Sequence, residues 1–386
     1  MRNAHNLHMM AAAAALATAI GAATTAMAVD YPIMSSKSGT TPNVGDNFFA
    51  ERCWTNTTLN ISVPPNHSDA SQYDYHLTDA LRAPSSALNI YYSHKFISKA
   101  DGTTSRAIIE SKTTGTVTNR FLNEGLVFGQ NGGISAGNSR YADVTYEGKI
   151  TIDYPTSSSS TYAPAISANT RNGTTSASSA SVLRLAGTLH GNGRLRTQSG
   201  IGARVVIEAD AEDFTGLLNP NQANGWTTFG CSIFNGDVAT WNGTAIGAER
   251  ASTLAQLKSL SINKAGITLI VPFAEDGSSA GLLTITNAFT HEASSGEPGS
   301  ISVQLRGGLP QYGSYPALRL AAGCTGSFDE SLISFASDIL VNDVRVAQTV
   351  PAKVSDTIRL AVKTEGDGSR ILCVERIPAA TVISMR

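Results

Sequence analysis

The chain has 386 residues, of which 41% are apolar and 15% charged, and its formal net charge is -2. A chain of this length can bury a large core, and its near-neutral charge excludes the basic surface typical of nucleic-acid and anionic-membrane binders. The 35 glycines, the excess of Ser, Thr and Asn, and the lack of a long amphipathic helical pattern predict a mainly β fold of short strands and tight turns.

The first 28 residues predict a secretory signal peptide. Arg2 precedes an apolar stretch at residues 9–23, and Ala26-Met27-Ala28 forms a small-residue cleavage site before Val29. We therefore expect an extracellular, cell-surface or periplasmic protein. No later stretch approaches the roughly 18 to 20 apolar residues of a membrane span, so we expect no span after cleavage.

Short strands are predicted along residues 29–155. They include the segments TLNISV, ALNIYYSHKFI and RAIIESKT. Further on, Leu126 and Phe128 are followed, after a glycine-rich segment, by Tyr146, Ile150 and Ile152, with a spacing similar to that of the clear repeat at residues 183–218 described below. The segment Gly133–Gly137 matches G-x-S-x-G, but a strand pattern and no helix follows it, so we interpret it as a corner rather than as a nucleophile turn.

Residues 156–181 are a low-complexity segment of Ser, Thr, Ala and Asn. Such a composition has little to bury. We predict a protruding loop or a flexible strip here.

The clearest pattern lies at residues 183–218. Leu183 and Leu185 alternate with Arg184, and the same alternation returns 22 residues later at Val205 and Ile207. A further short strand is centred on Leu195, between glycines that permit sharp corners. One coil of a β-solenoid takes about 20 to 29 residues, so the offset predicts that one coil stacks on the next.

This region resembles the autotransporter-associated β-strand repeat of bacterial surface proteins. The matching positions are Leu183, Leu185, Gly187, Leu189, Gly191, Gly193, Leu195, Val205, Ile207, Phe214, Thr215 and Gly216. The resemblance implies a right-handed parallel β-helix on a secreted or surface protein of a Gram-negative-type bacterium. No translocator barrel or anchor pattern follows, so we do not expect the chain to transport itself across an outer membrane.

After Gly225 the pattern changes. TLAQLKSL, residues 253–260, is predicted to form a short helix, and five strand-like segments follow: GITLIVPF, GLLTITNAF, SISVQL, DILVNDVRVA and TIRLAVKTEGDGSRILCVERI. The last is a predicted hairpin, because Asp367-Gly368 lies between two alternating runs. We therefore expect a signal peptide at 1–28, a β-helix at 29–225, and at 226–386 a continuation of the solenoid or an antiparallel cap or small β-sandwich.

Four cysteines follow the predicted signal peptide, and none lies in a C-x-x-C pair: Cys53, Cys231, Cys324 and Cys373. An oxidising compartment would allow two disulfides in three connectivities, and free buried thiols are the alternative.

The densest acidic run supplies the candidate catalytic residues. If Val205 and Ile207 point inward, Arg204, Glu208 and Asp210 share the outer face, where carboxylates and a basic residue can perform acid–base chemistry on a polysaccharide. The alternative is a solvated strand edge with a local Arg204 and Glu208 pair, since one strand supplies only part of such a site and no second acidic cluster lies one coil away.

Other sites have less support in the sequence. Trp226 and Trp241 lie in a polar Gly/Asn-rich setting, where exposed rings can stack on sugars, although core packing is the commoner use of tryptophan. The histidines lack H-x-H or H-E-x-x-H spacing, so we expect no metal site and no cofactor.

Three classes of function stay open. The sequence favours a non-catalytic structural or adhesive surface protein whose partner is an extracellular glycan or protein surface. A polysaccharide lyase or glycoside hydrolase would need acidic and basic groups from neighbouring coils to converge in a groove. A carbohydrate-binding module would need an exposed Trp226 or Trp241 beside a shallow groove.

Overall fold

A computed structural model of the protein describes residues 33–35, 54–55, 62–77, 80–100, 102, 106–111, 115–137, 142–169, 181–200, 202–221, 225–291, 298–336, 338–341, 344–347 and 358–378. The predicted signal peptide lies outside these ranges. The described residues form strands, turns and three short 3-10 helices (Ser68–Gln72, Ser160–Tyr162 and Glu330–Leu332), and they contain no α-helix. The expectation of an all-β fold is confirmed for the described residues.

The strands follow one another closely along the whole described chain. In the first half they are β1 (Ile33–Ser35), β2 (Trp54–Thr55), β3 (Asp74–Leu77), β4 (Leu81–Arg82), β5 (Leu88–Tyr91), β6 (Lys95–Ser98), β7 (Ala107–Ser111), β8 (Gly115–Phe121), β9 (Leu126–Phe128), β10 (Gly132–Ala136), β11 (Ala142–Glu147), β12 (Lys149–Ile152), β13 (Ala165–Ala168), β14 (Val182–Leu185), β15 (Thr188–His190) and β16 (Arg194–Ser199). In the second half they are β17 (Arg204–Ile207), β18 (Leu217–Pro220), β19 (Trp226–Phe229), β20 (Ile233–Ala239), β21 (Ala245–Ala248), β22 (Leu254–Ile262), β23 (Ile267–Phe273), β24 (Leu282–His291), β25 (Ile301–Gly307), β26 (Gly313–Leu320), β27 (Ile333–Phe335), β28 (Asp338–Val341), β29 (Val344–Ala347), β30 (Ile358–Thr364) and β31 (Arg370–Arg376).

These strands build three sheets. The first has the order β15-β12-β9-β6-β3-β1-β2, the second β30-β31-β26-β24-β22-β20-β18-β16-β13-β10-β7-β4, and the third β29-β28-β25-β23-β21-β19-β17-β14-β11-β8-β5, with β27 beside β25. The chain visits the sheets in turn, so from β3 to β17 sheet neighbours lie three strands apart in sequence. The first sheet ends at β15, and from β16 to β26 the neighbours in the other two sheets lie two strands apart.

Parallel pairing dominates the three sheets. Among the described strands, the antiparallel pairs are β1–β2, β26–β31, β30–β31 and β28–β29, and all lie near the ends of the sheets. Antiparallel strands at an end cover backbone groups that would otherwise invite pairing with another chain.

The predicted register across the clearest repeat is confirmed. Leu183 lies opposite Val205, and Leu185 lies opposite Ile207, in the parallel pair β14–β17. All four side chains are fully buried in one hydrophobic cluster. Burying a side chain of this kind contributes about 1.5–3 kcal/mol, so the stacked apolar positions hold the successive strands together. The same sheets continue on both sides of residue 225.

Glycine allows the sharp corners of the repeat, as predicted. Gly187 has φ +94° and Gly191 has φ +99°, a region that favours glycine. A Cβ atom at Gly187, just before β15, would also lie 2.3 Å from the carbonyl oxygen of Gly148, just before the paired strand β12. The two backbones therefore approach too closely here for any side chain.

The predicted helix at residues 253–260 is wrong, because this segment belongs to β22. Leu254, Leu257 and Leu260 are spaced as on one helix face, which misled the prediction. In the structure the register of β22 against β24 shifts between Leu257 and Ser259, and this irregularity turns Leu257 and Leu260 to the same buried side. Leu254 instead points outward and is 66% exposed.

Two further local predictions need correction. The segment 156–181 is not wholly a loop, because Ala165–Ala168 forms β13, which pairs with β10 and β16; residues 170–180 lie outside the described residues. Residues 133–136 of the G-x-S-x-G match lie in β10 rather than in a corner, and Ser135 is buried between β7 and β13.

The hairpin predicted around Asp367-Gly368 is confirmed, since β30 and β31 pair antiparallel across this turn. Glu375 lies on β31, and its carboxylate accepts from Lys363 Nζ at 2.5 Å and Arg359 Nε at 2.8 Å. These hydrogen bonds and charges lower the pKa of Glu375 from 4.5 to about 2. Because β31 also pairs with β26, the hairpin extends the second sheet.

The three described cysteines are free thiols. Cys231, Cys324 and Cys373 are buried and form no disulfide with one another, while Cys53 lies outside the described residues. Burial raises the pKa of Cys231 to about 12, which suits an inert buried thiol rather than a reactive one.

Candidate ligand-binding site

Two glutamates occupy equivalent places in the third sheet. Glu208 directly follows β17, and Glu249 directly follows β21, with Gly230 between them after β19. The N–H groups of Glu208, Gly230 and Glu249 donate to carbonyl groups of the neighbouring strand in the sheet, at 2.8, 2.8 and 2.9 Å respectively. The parallel hydrogen-bond ladder therefore continues one residue past each strand. A Cβ atom at Gly230 would lie 2.9 Å from Glu208 Cγ. The glycine therefore leaves room for the glutamate side chains.

Arg184 on β14 joins the two carboxylates. Its Nη1 donates to Glu208 Oε1 at 3.0 Å and to Glu249 Oε1 at 3.4 Å, and its Nε lies 3.6 Å from Asp143 Oδ1. Burial opposes the charge of the guanidinium, but the carboxylates of Glu249, Glu208 and Asp143 together raise the pKa of Arg184 above its ordinary value. One arginine thus holds groups from three different strands or strand ends.

Glu249 is the buried centre of this network, with a side chain only 3% exposed. Thr228 Oγ1 donates to its Oε2 at 2.5 Å, and Arg204 Nη1 and Arg306 Nη1 lie 3.8 and 4.0 Å from its carboxylate oxygens. A buried carboxylate is stable only when it is paired and hydrogen-bonded, and here arginines from β14, β17 and β25 meet that requirement.

A pocket of about 350 Å³ opens beside the network. It lies where the third sheet passes into the second, and its lining includes Glu208, Glu249, Arg250, Ser232, Ser252 and Leu254. Its volume is near the lower end of the range of about 300–1,000 Å³ seen for small-molecule sites. The arrangement can therefore hold a small polar group against paired charges.

The rim of the pocket is fixed by a turn. Arg250 N donates to Thr253 Oγ1 at 3.2 Å, and Thr253 N donates to Arg250 O at 2.9 Å. Arg250 is 67% exposed, and its Nη2 lies 3.3 Å from Glu208 Oε1. The exposed guanidinium is thus held over the pocket by its backbone turn and by one ion pair.

The structure separates the acidic candidates that the sequence placed on one face. Arg204 and Glu208 both belong to the network, yet Arg204 pairs with Glu249, and Glu208 pairs with Arg184 and Arg250. Each of the two residues thus pairs with a charged group from another strand or strand end. Asp210 is exposed, and its Oδ1 accepts from the N–H of Glu212.

The two tryptophans differ sharply in exposure. Trp226 is only 4% exposed, packs with Ala245 and Ile270, and has the Arg306 guanidinium 5.7 Å from its ring centre. Its ring is therefore not open to a sugar. Trp241 is 46% exposed and keeps an accessible face.

Sequence reasoning missed most members of the network, including Arg184, Glu249, Arg250 and Arg306. One signal was present: Glu208 and Glu249 each follow a short apolar strand, in the segments RVVIE and AIGAE. Alignment of all the short apolar segments, and not only of the first clear repeat, would have placed the two glutamates in one column.

Among the described residues, no group of three or more His, Cys, Asp or Glu is placed to hold a metal ion. The described part of the chain also has no helix of the length and apolar character that crossing a membrane requires. Comparison with known protein families, with curated proteins and with solved structures found no match to the chain.

Proposed function

We propose that this is a secreted or surface-exposed, non-catalytic protein with a structural or adhesive role, built as a right-handed parallel β-helix of the autotransporter-associated repeat type. Long parallel sheets with antiparallel pairs near their ends, and coils offset by 22 residues at the clearest repeat, support the β-helix. Parallel strands stacked in this way make a stiff scaffold that presents its outer side chains at regular spacing.

The observation that carries the non-catalytic role is the pairing of the two central glutamates. Glu208 and Glu249 both accept from Arg184, and each has a second arginine within 4 Å. A general acid or base must exchange a proton with a bound substrate. Carboxylates that are tied to guanidinium groups of neighbouring coils suit an ion-pair network that fixes those coils.

A second candidate function is that of a polysaccharide-degrading enzyme. It is favoured by the convergence of acidic and basic side chains from several coils beside one pocket, which is the arrangement that such an enzyme needs. A carbohydrate-binding module draws support from the exposed face of Trp241.

Incubation with polysaccharides separates these functions. The purified protein is mixed with plant, algal and mucin polysaccharides, and both co-sedimentation and polymer length by size-exclusion chromatography are followed. We expect co-sedimentation without shortening. Shortened polymers that a Glu208→Gln variant leaves intact would overturn the non-catalytic role in favour of the enzyme.

Export has its own test. We expect the protein to leave the cytoplasm of a bacterial host and to begin at Val29 after cleavage of residues 1–28. Amino-terminal sequencing of the protein from the periplasm or medium measures this directly. An intact Met1 on protein confined to the cytoplasm would contradict the proposal.

A further inference from the structure

The pocket beside Glu208 has the chemistry of a binding site for an uncharged, hydroxyl-rich ligand. We propose that it binds one pyranose unit of a neutral glycan. The inference deepens the proposed adhesive role and rests on it, because it assigns the glycan contact to one place on the scaffold.

The first argument is the unused hydrogen-bonding capacity of the lining. Both arginine contacts of Glu208 go to its Oε1, and no described residue donates to its Oε2. Arg250 uses one nitrogen for Glu208 and is otherwise exposed. The hydroxyls of Ser232 and Ser252 are also exposed and have no described hydrogen-bond partner. The pocket therefore offers an acceptor, a planar donor and two hydroxyls, which match the neighbouring hydroxyls of a sugar.

The second argument is the mixture of both charges around the pocket. Four arginines of the network, Arg184, Arg204, Arg250 and Arg306, face three carboxylates, those of Asp143, Glu208 and Glu249. Two of these carboxylates line the pocket, so they oppose an anion. The arginines beside them oppose a cation. A neutral polar ligand meets neither penalty.

The third argument is the apolar side of the pocket. Leu254 lines it and is 66% exposed, and its register partner on β24 is Leu282, which is partly exposed. A pyranose carries C–H groups on its faces as well as hydroxyls at its edge. An exposed leucine beside a charged pair can cover such a face while the charged groups bind the edge.

The site is also held in its shape before binding. The turn from Arg250 to Thr253 is closed by hydrogen bonds at both ends, and the Glu249 carboxylate at the back of the pocket is fixed by the buried network. The polar groups are therefore already ordered in the folded protein, so binding a ligand costs little further conformational entropy.

Calorimetric titration tests the proposal. The full protein is titrated with neutral tetrasaccharides of glucose, mannose, galactose and xylose, and with a tetrasaccharide of galacturonic acid. We expect at least one neutral tetrasaccharide to bind one site per chain, and to bind more tightly than the acidic one. Arg250→Ala and Leu254→Ser should each weaken this binding about tenfold or more, the effect of losing a charge-assisted hydrogen bond or a well-covered apolar contact.

Two matched variants control for general effects on the fold. Arg120 is also an exposed arginine in an ion pair, 2.7 Å from Glu147, and Leu88 is also an exposed leucine on a strand. Arg120→Ala and Leu88→Ser should leave the affinity unchanged. The proposal is overturned if no neutral tetrasaccharide binds, if the acidic one binds more tightly, or if the control variants weaken binding as much as the pocket variants do.

The outcome is separable from that of the proposed function. If the Arg250→Ala variant still co-sediments with polysaccharide as the unaltered protein does, the pocket assignment is contradicted and the adhesive role is still supported. Tetrasaccharide binding at the pocket without co-sedimentation of any polymer would support the pocket assignment and contradict the adhesive role.

Discussion

Glu249 is the residue whose removal we expect to destabilise the middle of the stack most. Glu249→Ala removes a carboxylate that is 3% exposed and leaves Arg184, Arg204 and Arg306, at 18%, 9% and 13% exposure, without their shared partner. Removing one partner of a buried ion pair costs about 3–5 kcal/mol, because the remaining charge stays buried and uncompensated. Arg184 keeps its contacts with Glu208 and Asp143, so we expect a loss at the lower end of this range, about 3 kcal/mol, in the free energy of unfolding.

Urea unfolding followed by circular dichroism measures the effect, with the requirement that the slope against urea does not change. Glu147→Ala is the matched control, since Glu147 is 30% exposed and forms an ion pair with the exposed Arg120. Its loss should cost less than about 1 kcal/mol, as for other exposed pairs. If Glu249→Ala costs no more than Glu147→Ala, the network adds nothing beyond surface pairing and the reasoning fails.

Three further outcomes follow from local geometry. Gly187→Ala should lower the free energy of unfolding by more than about 1 kcal/mol, because Gly187 has a positive φ and an added Cβ would clash with the backbone of Gly148. Gly366→Ala is the control: its added Cβ meets open space, so the urea midpoint should change little. Equal effects of the two substitutions would refute this prediction. Glu375, with a pKa of about 2 in the folded chain against 4.5, stabilises the hairpin above pH 4.5 and loses that contribution as the pH falls towards 2. The melting temperature should therefore fall more steeply over this range than in Glu375→Gln, and parallel curves would contradict the assignment. Cys231 is buried and its pKa is raised to about 12, so it should be alkylated at pH 8 only after the protein unfolds. Mass spectrometry of peptides measures the alkylation. Rapid labelling of the native protein would count against the burial of this thiol.

Local sequence pattern predicted the strands well where alternation was regular. The pairs Leu183–Val205 and Leu185–Ile207 could be predicted from spacing alone, because side chains alternate faces along a strand and the two paired strands repeat the same inward positions. The pattern failed at β22, where an irregular register placed Leu257 and Leu260 on one side and imitated a helix.

The candidate site was only partly predictable. Glu208 and Arg204 were recognised from a dense acidic run, while Asp210 from the same run lies outside the network. Trp226 had the setting of an exposed ring but packs on the outer face of the third sheet. The exposure of a side chain depends on the residues that pack against its strand, and these cannot be identified from the sequence of that strand alone.

The sequence by itself determined the all-β class, the inward faces of the regular strands and the 22-residue offset between β14 and β17, because these depend on contacts that repeat at short and regular spacing. Only the tertiary structure decided which charges meet. Arg184 and Arg306 lie 65 and 57 residues from Glu249 along the chain, yet stacking brings all three together. Such pairs depend on the register of every intervening pair of parallel strands, so the sheets must form before the site exists.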